Sequence, residues 1–130
     1  MEISDTFGFD APPEVVFNSL TDPDRANRWL PAGVRAERPA GHGLRVLMGG
    51  DSTVFDVHTD PEQLGVSWRS PDDRDLHARV RVGDGPAGGS EVHVHVSVPA
   101  GVADEEQVRS VLAETARHLR RDVSDNFNAG

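Results

Sequence analysis

DAPPEVVFNSLTDPDRANRWLP, residues 10–31, reads as two short helices placed back to back, each opened by its own proline. Pro13 suits the first position of a helix, where the N–H it lacks would go unbonded anyway. Val16, Phe17 and Leu20 then form one apolar helical face. Asp22 reads as the N-cap of the second helix and Pro23 as its first residue. Asp24 and Arg28, four apart, are spaced to pair. Pro31 stops that helix just after Trp29 and Leu30.

Upstream, Glu2–Phe9 carries Ile3, Phe7 and Phe9 at alternate positions, the pattern of a strand. Downstream come six further strand-like pieces: Val34–Arg38, Leu44–Met48, Thr53–Thr59, Leu64–Arg69, Asp75–Val82 and Val92–Val98. Residues 39–43 form a turn, and Gly49-Gly50-Asp51 closes a tight hairpin. In Asp75–Val82, residues Leu76, Ala78, Val80 and Val82 share one face, with His77, Arg79 and Arg81 on the other. Val92–Val98 repeats this, valines on one face and His93, His95 and Ser97 on the other. Such clean alternation predicts an antiparallel sheet with one wet face. The last element runs from Glu105 to about Asp125. Asp104 and Gln107 stand at capping-box spacing. Val108, Leu112, Thr115, Leu119 and Val123 make one stripe at helical period. The order predicts an α+β architecture, a seven-stranded curved antiparallel sheet around a long C-terminal helix.

Composition narrows the chemistry. At 130 residues the expectation is one domain, residues 1–130. A formal net charge of −9 argues against nucleic acid, which requires a basic footprint. No cysteine is present, so thiolate nucleophiles and zinc–thiolate sites are excluded. All 13 basic residues are arginine, which excludes lysine Schiff-base catalysis, and there is no tyrosine. No apolar run approaches the ~20 residues of a membrane span. The N-terminus lacks the pattern of a secretory signal, so a cytoplasmic location is expected.

Several segments resemble the START-like (SRPBCC, Bet v 1-like) superfamily. Ala11-Pro12-Pro13-Glu14-Val15-Val16-Phe17 resembles the helix start of many members. Thr21–Arg25 followed by Arg28-Trp29-Leu30-Pro31 resembles the next helix and its exit. Phe55-Asp56-Val57 through Pro61 to Trp68 resembles the hairpin that follows. The nearest flavour is the small bacterial branch of polyketide cyclase/dehydrase-like proteins and relatives of the Hsp90 activator domain. The resemblance implies a helix-grip fold whose sheet and terminal helix enclose a cavity for apolar or amphipathic molecules.

On that reading the ligand-binding residues are Trp29, Phe55, Val57, Trp68, Leu76, Val80, Leu112, Thr115 and Leu119, with no cofactor. The partner is a small apolar or amphipathic molecule, and the chain is a monomer or dimer. Two alternatives stand beside it. A cyclase/dehydrase-like enzyme would need a titratable residue inside the cavity, for which His58, His118 and Asp51 are the candidates. An Hsp90-activator-like module with a protein partner would have a filled core.

Other constellations have plainer readings. Gly83-Asp84-Gly85-Pro86-Ala87-Gly88 matches G-x-G-x-x-G, but a strand rather than a helix follows it, so a hairpin loop is expected. Glu91, His93 and His95 share a strand face, with His77 across from them. A solvated polar face is expected there, and no metal site. Asp104-Glu105-Glu106 is explained by a helix N-terminus. Arg117, Arg120 and Arg121 are expected to pair with local acids.

Overall fold

The computed structural model describes residues 1–39, 41 and 43–129, with side chains described as far as Asp125. The elements run β1 (Glu2–Phe9), α1 (Pro13–Thr21), α2 (Ala26–Trp29), β2 (Val34–Glu37), β3 (Leu44–Met48), β4 (Asp51–Asp60), β5 (Gly65–Arg69), β6 (His77–Asp84), β7 (Ser90–Ser97) and α3 (Glu105–Ala129). The strands form one antiparallel sheet in the order β1-β7-β6-β5-β4-β3-β2. β1 therefore pairs with the last strand, and every other neighbour follows its predecessor through a hairpin. The sheet curls around α3 in a helix-grip fold, with α1 and α2 inserted after β1.

Local chemistry accounts for the elements. Pro13 opens α1 as expected. Asp104 and Gln107 form a reciprocal capping box. The Gln107 N–H donates to the Asp104 carboxylate at 2.8 Å, and the Asp104 N–H to the Gln107 amide oxygen at 2.9 Å. Gly49 and Gly50 both take positive φ, 57° and 93°, which a two-residue hairpin turn between β3 and β4 requires. The Gly83–Gly88 segment closes the β6–β7 hairpin, with the Gly85 N–H bonded to the Gly89 carbonyl at 2.9 Å.

Some expectations are corrected. The second helix starts at Ala26, not Pro23. The Asp22 carboxylate accepts the Asp24 N–H at 2.9 Å, and this two-residue-on bond holds residues 22–25 in a turn. Asp24 then faces Arg38, at 3.2 Å, instead of Arg28, which lies 3.7 Å from Asp122. Several strand ends move by one or two residues, the usual uncertainty of such boundaries. The turn expected at 39–43 includes positions 40 and 42, which lie outside the described residues.

The interior divides into two clusters. The larger joins Phe9, Val16, Phe17, Leu20, Trp29, Val66, Val80, Val82, Val92, Leu119 and Val123. The smaller joins Ile3, Val98 and Val108, with Val96 and Leu112 against it. α1 packs over β5, β6 and β7. α2 bridges α3 and β2, and α3 also rests on β1. Among the described residues, no helix is long and apolar enough to cross a membrane.

Candidate functional site

Between the concave face of the sheet and α3 lies a cavity of about 290 Å³, at the lower end of the range typical of small-molecule sites. Its wall draws on both clusters. β7 contributes Val92, Val94 and Val96, successive inward positions of one strand. β5 and β6 contribute Trp68, Ala78 and Val80, in direct register with one another or with β7. α3 contributes Leu112, Thr115, Ala116 and Leu119, one stripe at helical spacing. α1 and α2 supply Leu20, Trp29 and Leu30.

Eight of the nine residues singled out from the sequence line this space: Trp29, Phe55, Trp68, Leu76, Val80, Leu112, Thr115 and Leu119. Val57 does not, and it is 41% exposed. Val57 is in register with Trp68 on β5, but the β3 ladder ends at the Leu44–Phe55 pair. Past that point β4 pairs only with β5 among the described residues, and Val57 is left exposed. The sequence reading missed other lining residues, among them Phe7, Leu44, Val46, Ala116 and His77, the last of which strand parity sets on the outer face. Phe7 was legible as an inward position of β1, while the approach of β3 depends on sheet curvature.

Three polar side chains of the wall, Trp29, Thr115 and His77, are already engaged. The Trp29 indole N–H donates to the Ser19 carbonyl at 3.1 Å, in a buried bond. Its ring lies 6.1 Å from that of Trp68 at 59°, a tilted aromatic pair. The Thr115 hydroxyl donates to the Val111 carbonyl of its own helix at 2.8 Å. Among the described lining residues, His77 alone carries a titratable group, and its Nδ1–H donates to the Arg74 carbonyl at 3.1 Å. The three candidates for an internal base lie elsewhere. His58 lines a shallow polar groove on the outer face of the sheet. The His118 Nδ1–H donates to the Leu30 carbonyl at 3.0 Å. Asp51 sits exposed beside the β3–β4 turn.

α2 is held over the cavity by polar contacts to α3. Asp122, buried to 2% side-chain exposure, receives Arg25 in a two-pronged arrangement, Nε to Oδ2 at 3.0 Å and Nη2 to Oδ1 at 2.7 Å. The Asp122 hydrogen bond and charge raise the Arg25 pKa above its ordinary value, against an opposing effect of burial. With His118 on Leu30, this clamps both ends of α2 to the terminal helix. Among the described residues, Arg120 pairs with no acid. Its Nε–H donates to the Gly8 carbonyl at 3.0 Å, and its guanidinium stacks on Phe9.

The comparisons agree with this architecture. The family model for polyketide cyclase/dehydrase and lipid transport matches residues 1–124. The chain belongs to that family, within the SRPBCC superfamily. No curated protein matches. Among solved structures, an uncharacterised Bacillus thuringiensis protein aligns with TM-score 0.76 at 14% identity, over 96% of this chain and 100% of that one. The Aha1 dimer of Colwellia psychrerythraea aligns with TM-score 0.70 at 17% identity, over 95% and 96%. Ara h 8.0201 aligns with TM-score 0.64 at 16% identity, over 96% and 98%. At such identities the likeness is one of fold, which this superfamily puts to several uses.

Proposed function

We propose that this SRPBCC protein binds a small apolar or amphipathic molecule in the cavity between its sheet and α3. The observation that carries the reading is the wall itself: an open space inside the grip, lined by aliphatic and aromatic side chains, with the Trp29 indole N–H and the Thr115 hydroxyl already bonded within the protein. Affinity then derives from removing apolar ligand surface from water. The lining Trp29 and Trp68 favour a planar or ring-bearing ligand. An amphipathic ligand would leave its polar end toward solvent.

Two observations favour binding over the alternatives. General acid–base chemistry needs a titratable group within reach of the substrate; His58, His118 and Asp51 lie off the described wall, and His77, which does line it, has its Nδ1–H committed to the Arg74 carbonyl. A module acting only through its surface would be expected to have a filled core, and this grip holds a cavity of about 290 Å³. The test is titration with an environment-sensitive apolar dye, wild type against Trp68→Ala. Losing about 60 Å² of contact at ~25 cal/mol per Å² predicts a roughly 10-fold weaker complex. Unchanged affinity would remove Trp68 from the site and with it this assignment.

A further inference from the structure

The outer face of the sheet carries a second constellation, which shares only His77 with the cavity wall. β1, β7 and β6 are adjacent strands, and their pairing brings Glu2, His95 and His77 together. One potential ligand atom from each residue lies within 4.8 Å of the other two. The His95 Nε2 and the Glu2 Oε1 are 3.0 Å apart, and the two imidazole rings are 6.3 Å apart at 31°. From the geometry we infer that this cluster is a binding site for a divalent first-row transition metal, zinc above all, with Glu2, His77 and His95 as its protein ligands.

The donor set is the first argument. Two imidazoles and one carboxylate suit zinc and its neighbours, whereas calcium and magnesium prefer all-oxygen shells. The ligand atoms need only close on a common centre, and the Glu2 side chain, 67% exposed, has room to move toward it. Three protein ligands would leave a coordination position to water, as in an open rather than a closed zinc site.

The second argument is the outer shell. A ligating histidine ordinarily donates its other ring N–H to a carbonyl, a carboxylate or water, which fixes its tautomer. Both histidines have such a partner in place. The His77 Nδ1–H donates to the Arg74 carbonyl at 3.1 Å, which leaves Nε2 with the lone pair. The His95 Nδ1 lies 2.9 Å from the Ser4 hydroxyl. When His95 carries its proton on Nδ1 and donates to Ser4, its Nε2 lone pair faces the Glu2 carboxylate and the ion between them. The exchange needs only a change of tautomer and a rotation of the hydroxyl.

The surroundings permit entry. Arg79 and Arg69 are the register neighbours of His95 and His77 on this face. Both are exposed, so their guanidinium groups can extend into water. The protein as a whole carries a net charge of −9, which favours a cation.

The experiment is calorimetric titration of the full, untagged chain with zinc chloride in a non-chelating buffer, together with unfolding midpoints with and without zinc. One equivalent is expected to bind. The midpoint is expected to rise, because the ligands come from three strands and the ion favours the folded state. The double variant His77→Gln/His95→Gln should lose the site, and Ser4→Ala should weaken it about 10–100-fold. His93→Gln, whose ring bonds Thr6 instead, should leave binding intact. No binding by the wild type overturns the inference. So does binding that persists in the folded double variant, since the ion would then rest on other side chains.

Discussion

Asp122→Asn tests the clamp that holds α2 over the cavity. The carboxylate is 2% exposed and accepts two bonds from Arg25, whose side chain is 19% exposed. The amide keeps one acceptor oxygen but turns an NH2 group toward a guanidinium that only donates, so one bond becomes a donor–donor clash. Breaking a fully buried ion pair costs ~3–5 kcal/mol. Arg25 reaches water at its edge, and Arg28, at 3.7 Å, is mostly exposed. The appropriate figure is therefore roughly 2 kcal/mol, below that range and above that of an exposed pair. For a chain of this size that corresponds to a fall of about 6–8 °C in Tm. Urea unfolding followed by tryptophan fluorescence is the assay, since Trp29 lies on α2 and Trp68 faces it. The midpoint should drop with the slope unchanged. The double variant Arg25→Leu/Asp122→Leu should recover much of the loss, because it removes both charges together. A change below ~0.5 kcal/mol for Asp122→Asn, the size of an ordinary surface substitution, would refute the reasoning.

Two further outcomes follow from the hydrogen bonds. Thr115→Val should change affinity for an apolar dye by less than about twofold, because the hydroxyl is bonded to its own helix. A tenfold loss in the same titration would mean that the hydroxyl contacts the ligand. Asp104→Ala should cost ~1 kcal/mol in urea unfolding by removing one half of the α3 capping box, and an unchanged midpoint would contradict that role.

What could be read from the sequence was whatever depends on neighbours along the chain. Strand parity placed the valines of β7 inward and His93 and His95 outward, and helical period placed Leu112, Thr115 and Leu119 on one face. Prolines and caps located α1 and α3. What could not be read depends on partners far away in the chain. Asp122 looks like one more acid near the end of a charged helix. Its burial follows from Arg25, 97 positions earlier, arriving on α2. The sequence pointed to Glu91 beside the histidines, but the β1–β7 register sets Gly8 opposite Glu91 and brings Glu2 to His95 instead. Val57 carries the alternation of an inward residue, and no local pattern marks where the β3 ladder stops.

The most direct test of the central claim is native mass spectrometry, with the denatured mass as reference. The spectra would be taken on the protein as purified and again after incubation with apolar and amphipathic compounds of graded size. The account predicts a non-covalent mass increment in the native spectrum that disappears on denaturation and weakens in Trp68→Ala. A bare polypeptide mass under every condition would contradict it.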